Sequence, residues 1–249
     1  MSGEPQNVYD NPAFFDGYRE LRRNESGLNT ALEVPALQRL LPTSLKGMRV
    51  LDLGCGFGDF ARFARGKGAR SVTAVDVSKR MLEEAHQRTN DPAIEYIHSA
   101  IEDYAAKAGA FDLVVSSLTI HYVRDYAAIV VGVHRMLAAA GRFVFSVEHP
   151  VCTALPEQRW CCSADGTPRH WPVDRYRDEG ARHTRWFIDD VVKYHRTVES
   201  YVKGLIGSGF ILDRLEEPEP APEALALRPD LDLHRRRPPF LLLAAHKAS

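Results

Sequence analysis

Asp52, Gly54, Gly56 and Gly58 fall at every second position in "VLDLGCGFGDFARFA", where an apolar run gives way to a helical pattern. A strand, a Gly-x-Gly-x-Gly turn and a helix together make a nucleotide site. The glycines permit a tight turn and let a ligand lie against bare backbone, and the helix that follows presents free N–H groups. Asp52 stands inside the apolar run, where a carboxylate is costly unless it is paired. Asp76 closes a second apolar run, "SVTAVDVS", where a carboxylate can accept both hydroxyls of a ribose. A dinucleotide-binding turn usually reads Gly-x-Gly-x-x-Gly, whereas the spacing here is Asp-x-Gly-x-Gly-x-Gly.

The segments that must position these residues alternate between strand and helix patterns. "MRVLDLG", "SVTAVDVS", "IEYIHSA", "FDLVVSSLTI" and "RFVFSVEH" read as buried strands. Between them, "GDFARFARGKG", "SKRMLEEAHQRTN" and "DYAAIVVGVHRMLAAAG" read as helices, the second capped by Ser78 and the third closed by Gly141. That rhythm predicts an α/β fold with a parallel, doubly wound sheet. After Pro150 the rhythm breaks, and residues 151–190 mix Pro, Gly, Arg and Cys without a regular pattern. "DVVKYHRTVESYVKGLIGSG" then predicts a long helix opened by Tyr194 and His195. Two closing strands, "FILDRLEE" and "PFLLLAAHK", are joined by "PEPAPEALALRPD", read as a mobile loop. The domain boundaries that follow are an N-terminal helical cap at 1–45 and a main domain at 46–249 carrying the insert at 151–190.

The chain has 249 residues, 45% of them hydrophobic and 26% charged, enough for an ordinary core. A net charge of −1 gives no global attraction to nucleic acid or to an anionic membrane. Four cysteines without regular spacing do not suggest a secreted disulfide framework. No leader pattern and no apolar run of membrane-spanning length is visible, so a cytoplasmic protein, monomer or homodimer, is expected.

On "LDLGCGFG", Asp76, "SAIEDY", "FDLVVSSLTIHYV" and "LAAAGRFVFSVEH", the chain resembles the class I S-adenosylmethionine-dependent methyltransferases of small-molecule type. The resemblance covers residues 45–150 and continues into the closing hairpin. It implies a Rossmann-like seven-stranded sheet of order 3-2-1-4-5-7-6, with S-adenosylmethionine as cofactor and a small-molecule methyl acceptor. Gly54, Cys55, Gly56 and Gly58 would line the methionine part, with Asp52 orienting its ammonium or the loop. Asp76 would hold the ribose diol and Val77 would lie beside the adenine, with Ser99, Ala100 and Ile101 at its amino group. Ser117 would face the methionine part, and Tyr18 and Arg22, one helical turn apart, could reach its carboxylate.

In this family an acceptor atom attacks the methyl carbon in line, so the protein must position the acceptor and sometimes remove a proton. His121, His149 and His195 are the candidate bases. Tyr122, Glu148 and Tyr194 lie beside them in sequence and are candidate acceptor contacts. Trp160, Trp171 and Trp186 all belong to the insert and could stack on a flat acceptor or build the insert's own core. The Cys and His residues there lack a zinc-like spacing, so no metal is expected. The rival functions are methylation of a macromolecule and cofactor binding without catalysis. No basic face or added domain favours the first, and the glycine loop alone does not separate the second.

Overall fold

The computed structural model describes residues 5–23 and 27–248; positions 1–4 and 24–26 of the expected cap lie outside them. Helices α1 (Pro12–Arg23) and α2 (Val34–Leu40) precede the sheet, linked in part by a π-helical turn at Asn29–Glu33. Then come β1 (Arg49–Leu53), α3 (Asp59–Gly66), β2 (Ser71–Asp76), α4 (Lys79–Gln87), β3 (Ile94–His98), β4 (Phe111–Ser116), α5 (Tyr126–Met136) and β5 (Leu137–Glu148). The insert contributes α6 (Pro150–Thr153), β6 (Cys161–Cys162), β7 (Pro168–His170), β8 (Gly180–Trp186) and β9 (Ile188–His195). Helix α7 (Val198–Gly207), β10 (Phe210–Glu216), α8 (Pro222–Leu227), α9 (Leu233–Arg236) and β11 (Phe240–Lys247) complete the chain.

The central sheet runs β3-β2-β1-β4-β5-β11-β10, which is 3-2-1-4-5-7-6 when its own strands alone are counted. Strands β1 to β5 are parallel, and β11 is antiparallel to both β5 and β10. Leu113, Val114 and Val115 are all buried in succession, because helices cover both faces of the sheet. A parallel sheet of this kind gathers its ligand-binding loops at the carboxyl ends of the strands. The ends of β1, β2, β4 and β5 therefore position the site. No helix among the described residues is long and apolar enough to cross a membrane.

Four sequence readings need correction. Helix α5 ends at Met136 rather than Gly141. The Lys247 ammonium donates to the carbonyls of His134 and Leu137, each at 3.1 Å, and so caps the helix from the far strand. Tyr194 and His195 lie in β9 and open no helix. Val191, Lys193 and His195 are buried at alternate positions, a period of two, and α7 starts only after Thr197, whose side chain accepts the Ser200 N–H. The expected loop before β11 holds α8, a 3₁₀ turn and α9. Finally, the insert is not wholly irregular: it holds two hairpins, β6–β7 and β8–β9, and the tip of the second reaches Phe14 of α1.

Candidate active site

The glycine loop is built on the end of β1. Gly54 and Cys55 N–H groups both donate to the Val75 carbonyl, at 2.8 and 3.0 Å, tying the loop to β2. Gly54 sits at φ +77° and Gly58 at φ +72°, backbone shapes that residues with a side chain adopt at a cost. A Cβ on Gly54 would collide with Thr119, whereas a Cβ on Gly56 would meet nothing within 4 Å. That open space leaves the Gly56 backbone bare toward the cavity.

Asp76 is buried and its two oxygens accept N–H groups from opposite sides, Gly56 at 2.8 Å and Ser78 at 2.9 Å. Burial pushes its carboxyl up, and the two N–H groups pull against that rise. Ser78 in turn accepts the Met81 N–H at 3.1 Å, starting α4, and donates to Asp10 at 2.6 Å. The N-terminal segment thus locks the far side of the ribose-type carboxylate. Asp52 is 1% exposed and its Oδ2 has no donor among the described residues. Burial, then the charges of Asp76 and Asp59, push its carboxyl up to about 8.

A cavity of about 510 Å³ opens over these groups, within the roughly 300–1,000 Å³ typical of small-molecule sites. Of the residues expected to hold the cofactor, Tyr18, Arg22, Asp52, Gly54, Cys55, Gly56, Asp76, Val77, Ala100, Ile101 and Ser117 line it, and Gly58 and Ser99 do not. Arg22 reaches Asp59 at the start of α3. These residues fit the expected cofactor. They offer a buried carboxylate lacking a donor, a glycine cradle, a carboxylate at the end of β2 and an apolar slot at Val77, Ala100 and Ile101.

His121, Tyr122, Glu148 and Trp186, expected at the methyl acceptor, all lie on the same cavity wall. Tyr9 and Tyr18 meet edge to face at 5.3 Å, and Tyr18 and Trp186 do so at 6.0 Å. Trp186 and Phe187 at the hairpin tip also pack on Phe14 of α1, at 5.2 and 5.4 Å. Gly17 permits this contact, since any side chain there would strike the Phe187 ring. Glu148 is held by the Lys193 ammonium at 2.5 Å and by Gln158 at 3.1 Å. Burial alone would raise this carboxyl, but Lys193 and His121 override it and push it down to about 2.

The structure separates the three histidines. His149 accepts the Val151 N–H and meets Glu217 at 2.7 Å. His195 bridges Thr153 at 2.8 Å and the Tyr176 carbonyl at 2.9 Å. Both rings use both nitrogens inside the protein and neither lines the cavity. His121 does line it, with Nδ1 accepting the Glu148 N–H at 3.4 Å. Its neutral ring then carries the hydrogen on Nε2, and burial pushes its pKa down to about 4. Such a neutral ring can donate a hydrogen bond through Nε2–H, and with Nδ1 engaged and its basicity lowered it is poorly suited to take a proton. We therefore expect kcat to stay flat between about pH 6 and 8, with His121→Asn keeping most activity. A pH–rate profile rising through a group near the ordinary histidine value would restore the base.

Trp160 and Trp171 pack on each other at 5.6 Å, with Arg236 and Arg237 over their outer faces. They build the insert and do not line the cavity, and neither does Tyr194. The basic run His234–Arg237 is partly engaged in fastening the insert to α9, with Arg236 donating to the Pro168 and Arg169 carbonyls. Glu33, Tyr9, Thr119 and Lys193 went unnoticed in the sequence. Only Glu33 carried a signal, as an acid in the largely apolar run "LNTALEVPALQRLL".

A methyltransferase domain family matches residues 51–145. A crystal structure of an S-adenosylmethionine-dependent methyltransferase from Mesorhizobium loti is 41% identical, covering 86% of this chain and 97% of its own, with a TM-score of 0.81. A Listeria monocytogenes protein described in the same terms is 43% identical over 87% of this chain and 97% of its own, with a TM-score of 0.83. A malonyl-[acyl-carrier protein] O-methyltransferase of Enterobacter lignolyticus is 36% identical over 50% of this chain and 47% of its own length. With this sheet order, glycine loop and cavity, the chain belongs to the S-adenosylmethionine-dependent methyltransferases, and its cofactor is S-adenosylmethionine.

Proposed function

We propose that the enzyme methylates a small, flat, aromatic or heterocyclic metabolite at an O, N or C atom. The acceptor binds between Tyr9, Tyr122 and Trp186, with Glu148 and His121 beside it. The bound cofactor supplies a methyl group already activated by its sulfonium. Asp76, the glycine loop and the Val77–Ile101 slot orient the nucleoside, and the aromatic wall excludes water and aligns the attacking atom. In this reading residues 1–45 act as a cap and 151–190 as a lid, the two meeting where Trp186 and Phe187 rest on Phe14.

The observation that carries the reading is the wall's composition at the acceptor end. Aromatic rings there suit a flat guest. Among the described residues the cavity is lined by Glu33, Asp52, Asp59, Asp76, Glu102 and Glu148 against Arg22 alone. Asp52, pushed up to about 8, is largely uncharged at neutral pH, but the remaining carboxylates still outnumber Arg22 and disfavour nucleic acid and other anionic acceptors, and therefore macromolecular methylation of the tRNA kind. The carrier-protein relative named above matches over half of this chain, so its acceptor does not transfer with the match. The test is incubation with methyl-labelled cofactor and separated small-molecule, protein and tRNA fractions. Label should enter the small-molecule fraction, in a product heavier than its precursor by one labelled methyl in place of a hydrogen. Label confined to protein or tRNA would reject the reading.

A further inference from the structure

Glu33 is fully buried, yet one of its carboxylate oxygens has no partner among the described residues. Its Oε1 accepts hydrogen bonds from Ser117 at 2.8 Å and Ser146 at 2.5 Å. Those serines stand just past β4 and near the end of β5, on the ligand side of the sheet. The other oxygen, Oε2, is the orphan, and Glu33 lines the cavity. A buried acceptor left unmade costs about 1–3 kcal/mol, more when charged, so the position calls for a donor.

The backbone shows how the residue gets there. Glu33 ends the π-helical turn, in which the Val34 N–H reaches back to the Asn29 carbonyl. Pro35 has no N–H to offer the Ala31 carbonyl, so the α register cannot run unbroken through this point. The wide turn sets the Glu33 side chain across the strand ends. Turns of this type are frequent at functional sites.

Arg22 lines the same cavity and is the guanidinium whose charge acts on Glu33. A carboxylate with a free oxygen and a guanidinium on one wall, beside Ser117, match a zwitterion. We propose that Glu33 binds the α-ammonium of the cofactor's amino-acid end, with Arg22 facing its α-carboxylate. Two serine hydroxyls fix one Glu33 oxygen so that the other points at the ammonium. Asp52, lower in the strand and beside Asp76, then tunes the loop rather than taking the ammonium directly. Burial holds the Glu33 carboxyl above its ordinary range in the empty site, and an arriving ammonium favours its ionised form.

The inference rests on the methyltransferase assignment, and the test separates the two. Calorimetry compares S-adenosylhomocysteine with 5′-methylthioadenosine, which keeps the nucleoside thioether and lacks the amino-acid end. Glu33→Gln should weaken S-adenosylhomocysteine by about tenfold or more, the scale of one charge-assisted hydrogen bond, and methylthioadenosine less than about twofold. Equal weakening of both ligands means a structural role and overturns the proposal, as does unchanged S-adenosylhomocysteine affinity. A selective loss in Asp52→Asn with none in Glu33→Gln gives the ammonium to Asp52 and also overturns it. If Glu33→Gln does not fold, the wild-type protein decides with the deaminated analogue of S-adenosylhomocysteine. That analogue should bind about tenfold more weakly, and equal binding rejects an ammonium site. A wild-type protein that binds neither nucleoside would fail the methyltransferase assignment itself, and the Glu33 site with it.

Discussion

Lys193→Met should destabilise the folded protein by about 3 kcal/mol, the lower end of the roughly 3–5 kcal/mol seen when one member of a buried ion pair is removed. Lys193 is 2% exposed, and its ammonium is the main partner of Glu148. The methionine fills much of the same volume but leaves Glu148 with Gln158 alone among its side-chain donors. The Glu148 side chain is 22% exposed toward the cavity, which lets water recover part of the loss. Denaturant unfolding checks the value, and Lys193→Met with Glu148→Gln should recover most of it. The acid limb gives a second readout. Glu148 titrates at about 2 when folded, below the ordinary 4.5, so its contribution is complete above pH 4.5 and is lost as pH falls toward 2. That part of the slope should vanish in Lys193→Met. A single variant as stable as wild type would mean the pair is not holding β9 to β5.

Gly54→Ala should cost about 2–5 kcal/mol of stability and weaken S-adenosylhomocysteine by at least about tenfold. Two effects add. An L-residue at φ +77° meets a left-handed penalty of about 1–2 kcal/mol. The new methyl also lands 2.7 Å from the Thr119 Cβ, an overlap in the range where overpacking costs about 1–3 kcal/mol. Thr119 cannot step aside freely, because its hydroxyl donates to the Ser117 carbonyl at 3.0 Å. Relief must come from the loop itself, which moves Cys55 and Gly56 away from the ligand. Unchanged cofactor affinity in this variant would show that the loop does not touch the ligand.

The cofactor half of the site was legible because its chemistry is local. Asp52, Gly54, Gly56 and Gly58 sit within seven residues, and Asp76 follows one helix later. Short-range spacing and strand periodicity were enough to place them. The part proposed for the acceptor is assembled from distant pieces. Tyr9, Tyr122, Glu148 and Trp186 meet only after the N-terminal segment and the hairpin fold over the sheet. The hairpin strand β9 was read as helix because "DVVKYHRTVESYVKG" permits both periods. What decided for strand was pairing with β8 and the Thr197 cap. His149 and His195 looked like bases because histidine type carries no record of its partners. The short bonds to Glu217, Thr153 and Tyr176 that occupy both rings are tertiary. Glu33 escaped notice because its value depends on Ser117 and Ser146, about eighty to over a hundred residues away in sequence.

The central claim is that the Asp76 pocket holds the nucleoside of S-adenosylmethionine and not that of a dinucleotide. Calorimetric titration of wild type and Asp76→Ala with S-adenosylhomocysteine and with NAD tests it most directly. Asp76 is rigidly held by the Gly56 and Ser78 N–H groups, so its oxygens are already set for a ribose diol. Wild type should bind S-adenosylhomocysteine and show no heat with NAD. Asp76→Ala should weaken S-adenosylhomocysteine by about 1–3 kcal/mol, the scale for losing hydrogen bonds to a charged group. Binding of NAD by the wild type, or unchanged S-adenosylhomocysteine affinity in Asp76→Ala, would contradict the account.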